Sequence, residues 1–120
     1  MEDARIWEFE RSLWTASPEH YQASIDDQCV MALPAPPFIL TGQQSVEAVS
    51  NTPRWQQVEL TDRQVMRPQE GLIVIGYTAH AERGEERYTA HCTSTYRRLG
   101  HDDWKVVQHS QVVALTSHGA

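Results

Sequence analysis

Two periods of apolar positions follow one another along this chain. Ile6, Phe9, Leu13 and Trp14, with Trp7 beside them, recur at helical spacing, and charged Glu2, Asp3, Arg5, Glu8, Glu10 and Arg11 take the remaining positions. Ser17-Pro18-Glu19 then predicts a second, shorter helix, with serine as N-cap, proline at the first helical position and an acid in the first turn. His20, Tyr21 and Ile25 ride on it, Asp26-Asp27 close it, and Cys29 to Leu33 reads as a short strand. Pro34-Ala35-Pro36-Pro37 reads as a rigid bend before Phe38-Ile39-Leu40, because a polyproline ligand belongs in a disordered tail and not between apolar strands. Thr41-Gly42-Gln43-Gln44 fits a capping box and predicts a third helix over 42–50, ending before Pro53.

Beyond Pro53 the pattern turns extended and stays so. Trp55 to Met66 alternates imperfectly, and Pro68-Gln69-Glu70-Gly71 supplies a turn. Leu72 to Arg83 and Glu86 to Arg98 form a long hairpin about Gly84-Glu85, and a turn at Gly100-His101-Asp102 leads into a last strand, Trp104 to Val113. Helices first and a meander of long strands after predict an α+β fold, helices packed on one face of an antiparallel sheet.

A tight turn at Gly84-Glu85 fixes the hairpin register. Arg83 then faces Glu86, Ala79 faces Ala90, Tyr77 faces Cys92, Ile75 faces Ser94 and Ile73 faces Tyr96. The next turn sets Tyr96 opposite Trp104 and Ser94 opposite Val106, so Ile73, Ile75, Tyr77, Ala79, Ala90, Cys92, Tyr96, Trp104 and Val106 share the helix-facing side. The same register sends Thr78, His80, Thr89, His91, Thr93, Thr95, His109 and Gln111 to the opposite face. Three histidines there suggest a metal, but no carboxylate joins them and cross-strand diagonals lie ~7–8 Å apart. A solvated or dimer-forming face is the better reading of His80, His91 and His109.

Composition narrows the classes. The 120 residues make one domain, and 40% hydrophobic content with four Trp argues against disorder. No apolar run approaches the ~18 residues of a membrane span, and the acidic start lacks a signal peptide's basic region, so a cytoplasmic, non-membrane protein is expected. Sixteen acids against ten bases give a net charge of −6, with no basic stripe, so nucleic acid is not an expected partner. Cys29 and Cys92 have no companions at metal-ligand spacing and read as reduced, buried thiols; no metal or other cofactor is implied.

The order of these segments resembles nuclear transport factor 2-like domains. The resemblance rests on Leu13-Trp14-Thr15-Ala16-Ser17-Pro18-Glu19-His20-Tyr21, Asp27 through Leu33-Pro34, Trp55 to Leu60, Gly76 to Ala79, Thr93 to Arg98 and Trp104 to Gln111. Within that superfamily the chain looks most similar to the small bacterial branch related to SnoaL-type polyketide cyclases and to the association domain of calcium/calmodulin-dependent kinase. The resemblance implies a strongly curved sheet wrapped around the first helix, a cone with an apolar pocket, and a homodimer formed through the outer sheet face. The same cone houses isomerases, dehydratases, cyclases, hydrolases and non-catalytic modules, so activity must be argued from the site.

Isomerase-type members use a carboxylate base and a tyrosine or protonated acid as donor. Asp27, Glu59 and Tyr21 are the catalytic candidates, with Tyr77 as a second donor; no nucleophile elbow, phosphate loop or helical metal motif appears. The expected pocket takes Trp14 and Tyr21 from the helices and Met31 and Phe38 from the early strands. Trp55, Tyr77, Cys92, Ser94 and Tyr96 join them, and Gln111 enters if a β-bulge re-aims the last strand. The leading expectation is therefore a homodimeric domain that binds a small hydrophobic molecule. The alternatives are an acid–base enzyme (isomerase, dehydratase or hydrolase), or a dimerisation module with a filled core.

Overall fold

A computed structural model describes residues 1–115. The order is α1 (Asp3–Thr15), α2 (Pro18–Ser24), β1 (Ile25–Ala32), β2 (Ile39–Thr41), α3 (Gly42–Ser50), β3 (Gln57–Gln69), β4 (Leu72–Arg83), β5 (Glu86–Gly100) and β6 (Asp103–Val112). The helix starts follow the local rules: Ser17 Oγ accepts from the His20 N–H at 3.2 Å with Pro18 at the first position. Thr41 and Gln44 close a full capping box on α3.

All six strands form one open, curved sheet in the order β2-β1-β6-β5-β4-β3. Neighbours pair antiparallel except β1 and β6, which run parallel because α3 and the β3–β5 meander separate them in sequence. The α1 helix lies in the concavity and buries Ile6, Trp7, Glu10, Leu13 and Trp14 against Ile73, Ile75, Tyr77, Tyr96 and Val106. Gly42 opens α3 where a Cβ would stand 2.7 Å from the Asp26 carbonyl, so only glycine lets that helix approach β1 so closely. Asp26 is itself buried, and the Arg97 guanidinium grips it through two bonds of 2.7 and 2.9 Å, holding its carboxyl below the usual range. That pair ties the α2–β1 junction to β5.

The β4–β5 register agrees with the sequence at every pair from Arg83–Glu86 to Ile73–Tyr96. The β5–β6 register does not. Tyr96 stands opposite Val106 and Arg98 opposite Trp104, while Thr95 pairs with Gln108, leaving Val107 as an extra residue. This β-bulge reverses the facing of everything that follows it. His109 therefore pairs with Ser94 on the concave side and is buried, whereas His80 and His91 remain exposed on the convex side. Placing His109 on the outer face is thus corrected. A second irregularity, at Thr61–Gln64 of β3 with Asp62 at φ 53°, adds to the curvature.

Candidate functional site

The cone holds a cavity of about 430 Å³ between α1, α2, α3 and the β5–β6 end of the sheet. Pocket volumes of this size suit small organic molecules. Leu13, Trp14, Tyr21, Ile25, Met31, Val49 and Trp55 give it a mostly apolar wall. Glu10, His109 and Gln111 gather at one polar end, while Thr52, Arg54, Glu86 and Arg87 add polar groups elsewhere in the wall.

Arg54 fixes the wall on the helix side. Its Nε donates to the Ala16 carbonyl at 2.8 Å and its Nη2 to the Leu13 carbonyl, and its guanidinium lies 5.4 Å over the Tyr21 ring. The last turn of α1 has no basic residue of its own, so this arginine supplies the cation for the free carbonyls. Trp55 stacks on Tyr88 with ring centroids 5.7 Å apart, and the Arg83 guanidinium lies 4.3 Å from the Trp55 ring centroid.

Glu10 is the centre of the polar end. It is fully buried, and Tyr77, Tyr96 and Ser94 all donate hydroxyls to its carboxylate, Ser94 at 2.7 Å. Burial first, and the Glu10 charge second, push the Tyr77 and Tyr96 phenols well above their ordinary range, so both stay protonated donors. Trp14 Nε1 in turn donates to the Tyr77 oxygen at 3.2 Å.

The rest of the chain of bonds follows from polarity. An ionised carboxylate only accepts, so Ser94 spends its proton on Glu10 and its oxygen must accept from His109 Nδ1 at 2.7 Å. Burial lowers His109 below the ordinary imidazole range against the pull of Glu10, whose Oε2 lies 3.7 Å from Nδ1. The neutral ring then keeps a lone pair on Nε2, which faces the Gln111 amide nitrogen at 3.1 Å. Tyr88 completes the series by donating to Gln111 Oε1 at 2.8 Å. No buried side-chain polar atom among the described residues lacks a partner.

Trp14, Tyr21, Met31, Trp55 and Gln111 all stand in the cavity wall. Tyr77, Ser94 and Tyr96 lie behind it as partners of Glu10, and Cys92 is buried beyond it with its thiol pushed up to about 12 by burial. Phe38 is half exposed outside the cavity, because the 34–37 bend closes back through bonds from Leu33 to Phe38 and from Phe38 to Ala35. Asp27 and Glu59 are exposed and take no part, so neither is the cavity's carboxylate. Sequence reasoning missed Glu10, which it counted with the charged face of α1. The available signal was its position: Ile6, Glu10, Leu13 and Trp14 form one helical stripe. No cluster of metal-ligand side chains occurs among the described residues.

Neither a family model nor a curated protein matches this sequence. Solved structures do. A provisionally assigned ketosteroid isomerase from Parabacteroides distasonis superposes with a TM-score of 0.78 at 16% identity, covering 91% of this chain and 85% of that one. An NTF2-like protein of unknown function in nutrient uptake from Rhodospirillum rubrum gives 0.78 at 20% identity, covering 96% and 100%. An NTF2-like protein from Cytophaga hutchinsonii gives 0.73 at 17%, covering 95% and 100%. The fold is therefore NTF2-like: the α+β class follows the sequence pattern, and the cone is the one the resemblance implied. At these identities the likeness extends to the fold alone.

Proposed function

We propose that this domain binds a small, mainly apolar molecule in the cone, with one polar group of that molecule directed at His109 and Gln111. The supporting observation is a ligand-sized cavity whose wall is apolar except for a few converging polar side chains. A module that needed only a filled core would have no use for this space. Titration with the uncharged fluorophore Nile red tests the reading. One saturable site per chain is expected, and Ala48→Trp, which narrows the wall at α3, should weaken it at least about tenfold. Linear, non-saturating uptake would end this reading.

A second reading, acid–base chemistry, is favoured by one arrangement. Glu10 holds His109 through Ser94, so a neutral imidazole with a lone pair on Nε2 stands in the cavity wall. His109 would then be the base and Glu10 a positioning residue; Tyr21, buried beside Met31 at 3.5 Å, would be packing. Deuterium incorporation beside the carbonyl of an enolisable ketone, lost in His109→Asn, is the expected result for an enzyme. The finer kinship with the SnoaL-like and kinase-association branch belongs to the same proposal, since it rests on sequence motifs alone. So does a homodimer formed through the convex face at His80 and His91.

A further inference from the structure

An acceptor and a donor stand side by side at the polar end of the cavity. His109 Nε2 offers a lone pair, and the Gln111 amide 3.1 Å away has two N–H groups, of which it spends one on that lone pair. A ligand group that inserts between them exchanges one bond for two, provided that it both donates and accepts. A ketone or ether can use only the Gln111 N–H. Carboxylic acids, alcohols and amides can use both positions.

Charge selects among these. Glu10 is fully buried, and among the described residues its neighbours are three hydroxyls and, at 3.7 Å, the His109 ring. The groups facing His109 are Glu10 and Trp14 from α1, Ser94 and the Thr93 backbone from β5, and Gln111 from β6, with Tyr77 of β4 and Tyr96 of β5 beyond the carboxylate. No lysine or arginine is among them. Arg54 is engaged with the α1 carbonyls, and Arg87 lies against Glu82 at 3.1 Å. A bare carboxylate entering here would meet the Glu10 charge with no cation between them, whereas an acid that arrives with its proton brings the missing cation.

We infer that the cavity takes up an apolar monocarboxylic acid together with one proton. The acid's O–H bond breaks, the proton passes to His109 Nε2, and the ligand remains as a carboxylate accepting from His109 Nε2–H and Gln111 Nε2–H. Charges then alternate, from Glu10 carboxylate through His109 imidazolium to ligand carboxylate. This rests on the proposal that the cavity binds a ligand, and it specifies the class of that ligand.

Calorimetric titration with 2-naphthoate and its uncharged isostere 2-naphthamide, between about pH 6.5 and 8, tests it. Over that range free naphthoate is ionised and free His109 neutral, so the naphthoate Kd should rise about tenfold per pH unit. Heats measured in two buffers should report one proton taken up per site. The naphthamide Kd should stay flat. In His109→Asn, which keeps an N–H for Ser94 but removes the base, the naphthoate slope should vanish. Naphthoate binding that is independent of pH in the wild-type protein, or a slope that survives in His109→Asn, overturns the inference. So does naphthamide binding without naphthoate binding, which leaves the cavity reading standing. Binding of neither overturns both.

Discussion

A carboxylate buried in an apolar helix face is costly unless its neighbours supply donors, and Glu10 draws them from three strands' worth of side chains: Tyr77 on β4, Ser94 and Tyr96 on β5, and His109 on β6 through Ser94. Removing it orphans several hydroxyls at once. Glu10→Leu should therefore destabilise the fold by about 3–5 kcal/mol in urea unfolding. A change under about 1 kcal/mol would mean that the network carries little of the stability. The neutral state of His109 gives a second, pH-dependent test. Its pKa is lower in the folded chain than in the unfolded one, so the unfolded state binds more protons in the window between the two values. His109 thus contributes full stability above the unfolded value of about 6.5, and the contribution falls as pH drops toward the folded value, by at most about 1.4 kcal/mol per unit. The difference in unfolding free energy between wild type and His109→Gln should shrink across that window. Asp26, whose pKa Arg97 lowers, acts in a separate, more acid window and does not confuse the comparison.

At the scale of the element, α1 depends on a residue about forty positions beyond its own end. Arg54 binds the carbonyls of Leu13 and Ala16 and covers Tyr21, so Arg54→Ala should cost about 1–3 kcal/mol and loosen the cavity wall together. Arg67→Ala, which removes only an exposed pair with Asp3, should leave the unfolding midpoint nearly unchanged. The elements themselves were legible because each has a local cause: Ser17-Pro18, the Thr41–Gln44 box, and a two-residue turn at Gly84-Glu85 that fixes a whole hairpin. The bulge at Val107 had no such cause in the sequence. The adjacent pair Val106-Val107 breaks the alternation, which allows a bulge for Gln111 without fixing where it falls, and the one extra residue moves both His109 and Gln111 from the convex face into the cavity. Glu10 stayed hidden for a related reason. Its charge places it with the solvated residues of α1, and only the partners supplied by β4, β5 and β6 explain why it is inside.

For the whole molecule, moving His109 inward divides what one face was expected to do. The concave side holds the cavity and the only histidine tied to Glu10 among the described residues, while His80 and His91 stay outside, bonded to Thr61 and Thr78 at 3.1 and 3.0 Å. The proposed self-association therefore rests on a convex surface that shares no side chain with the cavity, and the two can be perturbed separately. In light scattering after size exclusion, the wild-type chain should show twice the 13.7 kDa chain mass. His80→Glu together with His91→Glu sets like charges against each other across a two-fold contact, and should halve that mass while leaving Nile red binding within about twofold. Should the double variant keep the dimer mass, the contact lies elsewhere. If it dissociates and also loses the ligand, the two surfaces are coupled, and β5, which carries His91 on one side and Ser94 on the other, is the element through which a change at one would reach the other.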